Sequence, residues 1–178
     1  MTKNELAKEI FNIAHITGEF LLRSGKISNE YFDKYKFESD PTLLNAIASQ
    51  MLELVPGDTN ILAGLEMGGI PLSSAISLKN NIPSIFVRKK AKEYGTRKLA
   101  EGTDFACKKV CIIEDVVTTG GQIIESANEL RKLGAEIDSV LCVIVREEKA
   151  FENLSAANLN LIPLFSMKEI KEIMGVSE

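Results

Sequence analysis

Residues Val110 to Gln122, VCIIEDVVTTGGQ, constrain the chain more than any other stretch. Val110, Cys111, Ile112 and Ile113 make a continuous apolar run of the length that a strand buried on both faces requires, and Glu114 and Asp115 follow where it should emerge. Thr118, Thr119, Gly120 and Gly121 come next, small residues whose backbone can approach a ligand closely. Ile123, Ile124, Ala127 and Leu130 are then spaced for one face of a helix. The order is strand, acidic pair, hydroxyl-glycine loop, helix. Backbone N–H groups of such a loop, with the positive helix end behind them, form an anion cradle, while the carboxylates can accept hydrogen bonds from sugar hydroxyls. A ligand carrying a phosphate on a ribose would satisfy both halves; the plainer reading is a βα turn with solvated acids. Neither a GxxxxGKS/T loop nor a GxGxxG opening a helix after a strand is present.

The 178 residues can bury a substantial core as one domain spanning 1–178. A 45% hydrophobic content with mixed charge fits a soluble globular protein, and no apolar run approaches the roughly 18 to 20 residues that span a bilayer. Met1 to His15 is charged throughout and lacks the apolar centre of a secretory signal, so a cytoplasmic location is expected. Cys107, Cys111 and Cys142, an odd number, read as reduced and structural. A net charge of −4 argues against general nucleic-acid binding, so any anion must be met by a local patch.

Thr2 with Glu5 makes a capping box, and Leu6, Ile10, Ile13 and Ala14 supply the stripe of an N-terminal helix ending near His15, the only histidine, which reads as structural. Glu19 to Lys36 reads as two short strands joined by a turn at Ser24 and Gly25. It sets Lys26 near Tyr31 and Phe32, a pocket for a flat anionic heterocycle if these rings are not simply core. Asp40 and Pro41 open a helix that Pro56 and Gly57 end. Ile61 to Leu65 is a core strand, and Glu66 to Gly69 a loop whose backbone could meet a pyrophosphate or merely turn. Pro71 to Lys79 is the helix after it. Pro83 to Val87 is a second core strand, running into a basic stretch from Arg88 to Lys98 that suits a lid over a highly charged substrate, or a solvated face. Ile137 to Val145 is another buried strand with Arg146 at its end, placed to clamp a carboxylate or to pair with Glu147 or Glu148. Phe151 to Asn158 reads as helix, Leu159 to Phe165 as strand, and Ser166 with Glu169 opens a last helix.

The Val110 to Gln122 stretch resembles the phosphoribosyl-pyrophosphate (PRPP) loop of type I phosphoribosyltransferases. Together with FLLRSGKISNEYF (Phe20 to Phe32), VRKKAKEYGT (Val87 to Thr96), and VREEKAFENL (Val145 to Leu154) followed by LIPLFSMKEI, the chain resembles the orotate phosphoribosyltransferases over nearly its full length. The resemblance implies an α/β fold of the type I phosphoribosyltransferase kind: a mostly parallel central sheet flanked by helices. A small N-terminal hood, formed mainly by 1–40 with C-terminal contributions, completes it. It further implies that Glu114, Asp115, Val116, Val117, Thr118, Thr119, Gly120, Gly121 and Gln122 bind PRPP, the acids on the ribose hydroxyls and the Thr/Gly segment on the 5-phosphate. Arg88, Lys89, Lys92 and Tyr94 would join them at the pyrophosphate, on a loop reaching into the neighbouring subunit of a homodimer. Lys26, Tyr31, Phe32, Thr118 and Arg146 would bind orotate, and Lys92, Asp115 and Glu114 would carry catalysis. Mg²⁺ would be held mainly through PRPP and water, with no membrane or nucleic-acid partner.

Several positions depart from the family. Many members have a His where this chain has Tyr94, and a Lys where it has Gly68; Glu30 and Asp33 occupy hood positions often filled otherwise. The alternatives are a phosphoribosyltransferase for another base and a PRPP-sensing regulator.

Overall fold

The computed structural model of the chain describes residues 1–21, 25, 27–90 and 98–176. Helix α1 (Lys3–Ala14) starts at the expected capping box: the Glu5 N–H donates to Thr2 Oγ1 at 3.3 Å and the Thr2 N–H to Glu5 Oε2 at 2.8 Å. The expected hairpin is an antiparallel pair, β1 (His15–Leu21) and β2 (Ile27–Phe32), pairing from His15 opposite Phe32 to Leu21 opposite Ile27 with a register shift between Thr17 and Phe20. It therefore begins four residues before the expected Glu19 and ends four before Lys36. The physical reason for the early end is Asp33, whose Oδ1 accepts from the Tyr35 N–H at 3.2 Å and starts helix α2 (Lys34–Ser39). Asp40 then caps α3 (Pro41–Leu52), accepting from the N–H groups of Thr42 and Leu43, each at 2.9 Å.

The remaining chain forms β3 (Ile61–Leu65), α4 (Gly69–Asn80), β4 (Ser84–Val87), β5 (Ala100–Gly102), β6 (Lys109–Val117), α5 (Gly121–Lys132), β7 (Glu136–Val145), α6 (Lys149–Ala156), β8 (Asn160–Ser166) and α7 (Met167–Met174). The strands make one sheet in the order β5-β4-β3-β6-β7-β8, parallel except for β5, which runs antiparallel along β4. The mostly parallel sheet expected from the sequence is present; β5, inside what reads as loop, is an addition. Parallel strands covered on both faces read as unbroken apolar runs, and every residue of β3 is buried.

Alternation along β6 divides the core. Cys111 and Ile113 pack with α1, α3, α4 and α7, whereas Val110 and Ile112 pack with α5 and α6. Full burial of Ile112 and Ile113 contributes about 1.5 to 3 kcal/mol each. Burial pushes the Cys111 thiol up to about 12 and raises Cys142 likewise, which keeps both protonated and structural.

Candidate active site

Ligands of open α/β sheets bind beyond the carboxyl ends of the strands, and there β3, β4, β6 and β7 all end in polar segments. The cradle after β6 is intact. Gly120 has φ 81°, a left-handed conformation that glycine adopts without strain, and a Cβ there would press Leu154 at 3.0 Å. No side chain caps α5 at Gly120, so its first N–H groups face outward beside exposed Thr118, Thr119, Gly121 and Gln122. Asn153 on α6 ties the loop down, its Nδ2 donating to the Thr119 carbonyl at 2.9 Å. Val117 points into the core, and its carbonyl accepts from the Arg146 N–H at 2.8 Å, which brings Arg146 alongside the start of the loop.

The acids are held unlike a solvated pair. Asp115 is fully buried; its Oδ2 lies 2.6 Å from Lys34 Nζ on α2, and its Oδ1 accepts from the Val116 N–H. Burial works against the Lys34 charge, yet its hydrogen bond to Asp115 and the charges of Asp115 and Glu114 outweigh it and raise its pKa. Glu38, one turn along α2, is buried against the same carboxylate. Burial first, then the hydrogen bond and repulsion from Asp115, raise it to about 8. Burial and the Asp115 charge raise Glu114 well above the usual carboxylate range, and its Oε2 has no protein partner.

Gly68 is what lets Asp115 reach this position. A Cβ on Gly68 would lie 1.6 Å from Asp115 Oδ2 and 2.6 Å from Glu38 Oε1. Any side chain at this position would meet Asp115, and Lys34 reaches that carboxylate from α2.

Lys34, Tyr35, Glu66, Arg88, Lys89, Glu114 and Gln122 line one cavity of about 250 Å³. Its far wall is fixed by the Lys89 N–H, which donates to Glu66 Oε1 at 2.7 Å, and by Arg88 Nε, 3.9 Å from Glu101 Oε1. A second cavity, about 150 Å³, gathers Tyr31, Phe32 and Arg146 with Phe11, His15, Glu30, Met167 and Lys171. The expected ring pair and arginine therefore share one space. Tyr31 lies against Phe20 with ring centroids 5.5 Å apart, and Phe32 against Phe37 at 6.4 Å. His15 does not stand alone: its Nε2 is 2.8 Å from Glu30 Oε2, a hydrogen bond that lowers the Glu30 pKa, and its ring stacks on Phe11.

Lys26, Lys92 and Tyr94 lie outside the described residues. Sequence reasoning missed Lys34, Glu38 and Lys171. The signal for the first two was Asp33 followed by residues of helical spacing, which the strand reading of Glu19 to Lys36 concealed.

Buried Asp115 and half-buried Glu114, five and six residues ahead of an uncapped helix start on a parallel sheet, make the arrangement expected of a phosphoribosyltransferase. Residues 38–167 match the family model described as phosphoribosyl transferase domain, and the chain belongs to that family. Within it the chain belongs to the orotate phosphoribosyltransferases. It is 46% identical over 165 residues to the orotate phosphoribosyltransferase of Nocardioides sp., covering 93% of this chain and 92% of that one. To the enzyme of Methanocaldococcus jannaschii it is 40% identical over 154 residues, covering 86% and 88%. Among solved structures, that of Mycobacterium tuberculosis orotate phosphoribosyltransferase superposes with a TM-score of 0.85 at 26% identity, covering 94% of this chain and 98% of that one.

Proposed function

We propose that this chain transfers the 5-phosphoribosyl group of PRPP to orotate, giving orotidine 5-monophosphate and pyrophosphate on the route to UMP. The observation that carries the reading is the Glu114–Asp115 pair immediately ahead of the uncapped N-terminus of α5, with a ring-and-arginine cavity alongside. Orotate N1 attacks ribose C1, the bond from C1 to the pyrophosphate oxygen breaks, pyrophosphate leaves with the electron pair, and the N1 proton is released. The ribosyl carbon passes through an oxocarbenium-like state, so the protein's work is positioning and charge stabilisation.

In this reading Glu114 and Asp115 accept from the ribose hydroxyls, and Thr118 to Gln122 hold the 5-phosphate. Arg88, Lys89, Lys92 and Tyr94 meet the pyrophosphate. Lys26, Tyr31, Phe32, Thr118 and Arg146 hold orotate, and the cationic Arg146 favours a carboxylated base over uracil or a purine. Mg²⁺, held mainly through PRPP and water, would supply charge neutralisation for the leaving pyrophosphate. The basic segment after β4 would complete a partner subunit's site in a homodimer, and the two buried, reduced thiols suit the cytoplasm. Among the described residues no helix is long and apolar enough to cross a membrane.

The test is to supply Mg²⁺ and PRPP with orotate, uracil, adenine or hypoxanthine separately, and to follow base loss with pyrophosphate release. Turnover with orotate alone is expected. Turnover with another base would discard the hood assignment, and PRPP binding without turnover of any base would make the chain a PRPP sensor. Lys92→Ala should lower kcat more than it weakens PRPP binding; an unchanged kcat removes Lys92 from the mechanism.

A further inference from the structure

Lys34 is placed by α2, whose start is fixed by the Asp33 cap, and its ammonium sits 2.6 Å from Asp115 while the side chain stays 30% exposed to the cavity of Glu114, Arg88 and Lys89. An ammonium carries three N–H donors and Asp115 takes one, so donors remain for a ligand in that cavity. The Tyr35 ring, 5.2 Å from Nζ, favours the cation on another side. Glu38, Glu114 and Asp115 crowd this end of β6, and Glu38 Oε1 and Glu114 Oε2 have no protein partners. A substrate bearing several phosphate charges is met by cations, and among the described residues Lys34 is the one paired with Asp115.

We propose that Lys34 contacts the substrate directly: it is held on Asp115 in the free protein and donates to a pyrophosphate oxygen of PRPP when the ligand fills the cavity. Asp115 is thereby kept in place until ribose hydroxyls reach it, and one side chain links the acid that reads ribose to the group that leaves. The inference rests on the PRPP-dependent reading above.

Inorganic pyrophosphate is the probe, because it has no ribose for Asp115 to read. Calorimetric titration of the full-length protein with pyrophosphate should show affinity about 10- to 100-fold lower in Lys34→Met than in wild type, partly restored in Lys34→Arg, with the KM for orotate unchanged. Because Lys34→Met leaves Asp115 buried without a counterion, the pair Asp115→Asn and Lys34→Met/Asp115→Asn is titrated as well; the same loss between those two is expected. Equal pyrophosphate affinity within both pairs, with only the KM for PRPP raised, would make Lys34 a structural holder of Asp115 and overturn the inference while wild-type turnover of PRPP and orotate stands. Absence of wild-type turnover would overturn the underlying reading, and this inference with it.

Discussion

The phosphate cradle and the hood cavity are built in opposite ways. The cradle is one continuous run, β6 into loop into α5, whose parts are positioned by their chain neighbours. The hood cavity draws on α1, β1, β2, α7 and the segment after β7, and none of its polar groups has a functional neighbour fixed by sequence. Between them stands the α2 cluster, where Lys34 and Glu38 press on Asp115 from a helix some eighty residues away in the chain. A contiguous motif can be recognised from order alone, but its electrostatics are set by whatever tertiary packing puts against it.

The largest expected effect tests that electrostatic setting. Glu38 has its pKa raised from 4.5 to about 8, so its contribution to stability is full below pH 4.5 and is lost as pH rises toward 8. The gap sets a ceiling of roughly 5 kcal/mol, shared with Asp115 and Glu114 through their mutual repulsion. Glu38→Gln keeps an N–H donor for Asp115 and cannot ionise. Its stability advantage over wild type should grow between pH 4.5 and 8 in denaturant titrations, and parallel pH curves would show that Glu38 ionises as in water.

Gly68→Ala should come next. Its Cβ would displace the Asp115 carboxylate, lowering kcat/KM for PRPP on the order of 100-fold. The accompanying overpacking should cost about 1 to 3 kcal/mol of stability. Wild-type kinetics would mean that the acid need not stay where it is.

Arg146→Ala should weaken orotate by about 1.5 to 3 kcal/mol, read as its KM, and leave the KM for PRPP unchanged. A loss confined to PRPP would move Arg146 from the hood cavity to the cradle. The smallest effect is expected for Asn153→Ala, which frees the Thr119 carbonyl. It should raise the KM for PRPP by the equivalent of about 1 kcal/mol without touching orotate. An equal change in both constants would show that cradle and hood are mechanically coupled.

The sheet was legible because parallel strands buried on both faces announce themselves: Ile61–Leu65, Ser84–Val87 and Glu136–Val145 lie within a residue of where apolar runs begin and end. Strand β5 was not, since Ala100–Gly102 owes its extended form to pairing with β4 rather than to any pattern of its own. The hairpin boundary failed for a related reason. Tyr31 and Phe32 favour strand, and the helix that follows is set by the Asp33 cap, a local hydrogen bond that outweighs aromatic propensity two residues later.

What the sequence determined by itself was the order of chemistry along the chain: strand, two acids, anion-binding loop and helix, with an arginine after the next strand, because each is fixed by residues adjacent in the chain. Only the tertiary structure decided how those acids are held. Gly68 leaves room for Asp115, and Lys34 and Glu38 arrive from α2 to pack against it. Those relations depend on distances between segments remote in sequence, and burial makes each of them count.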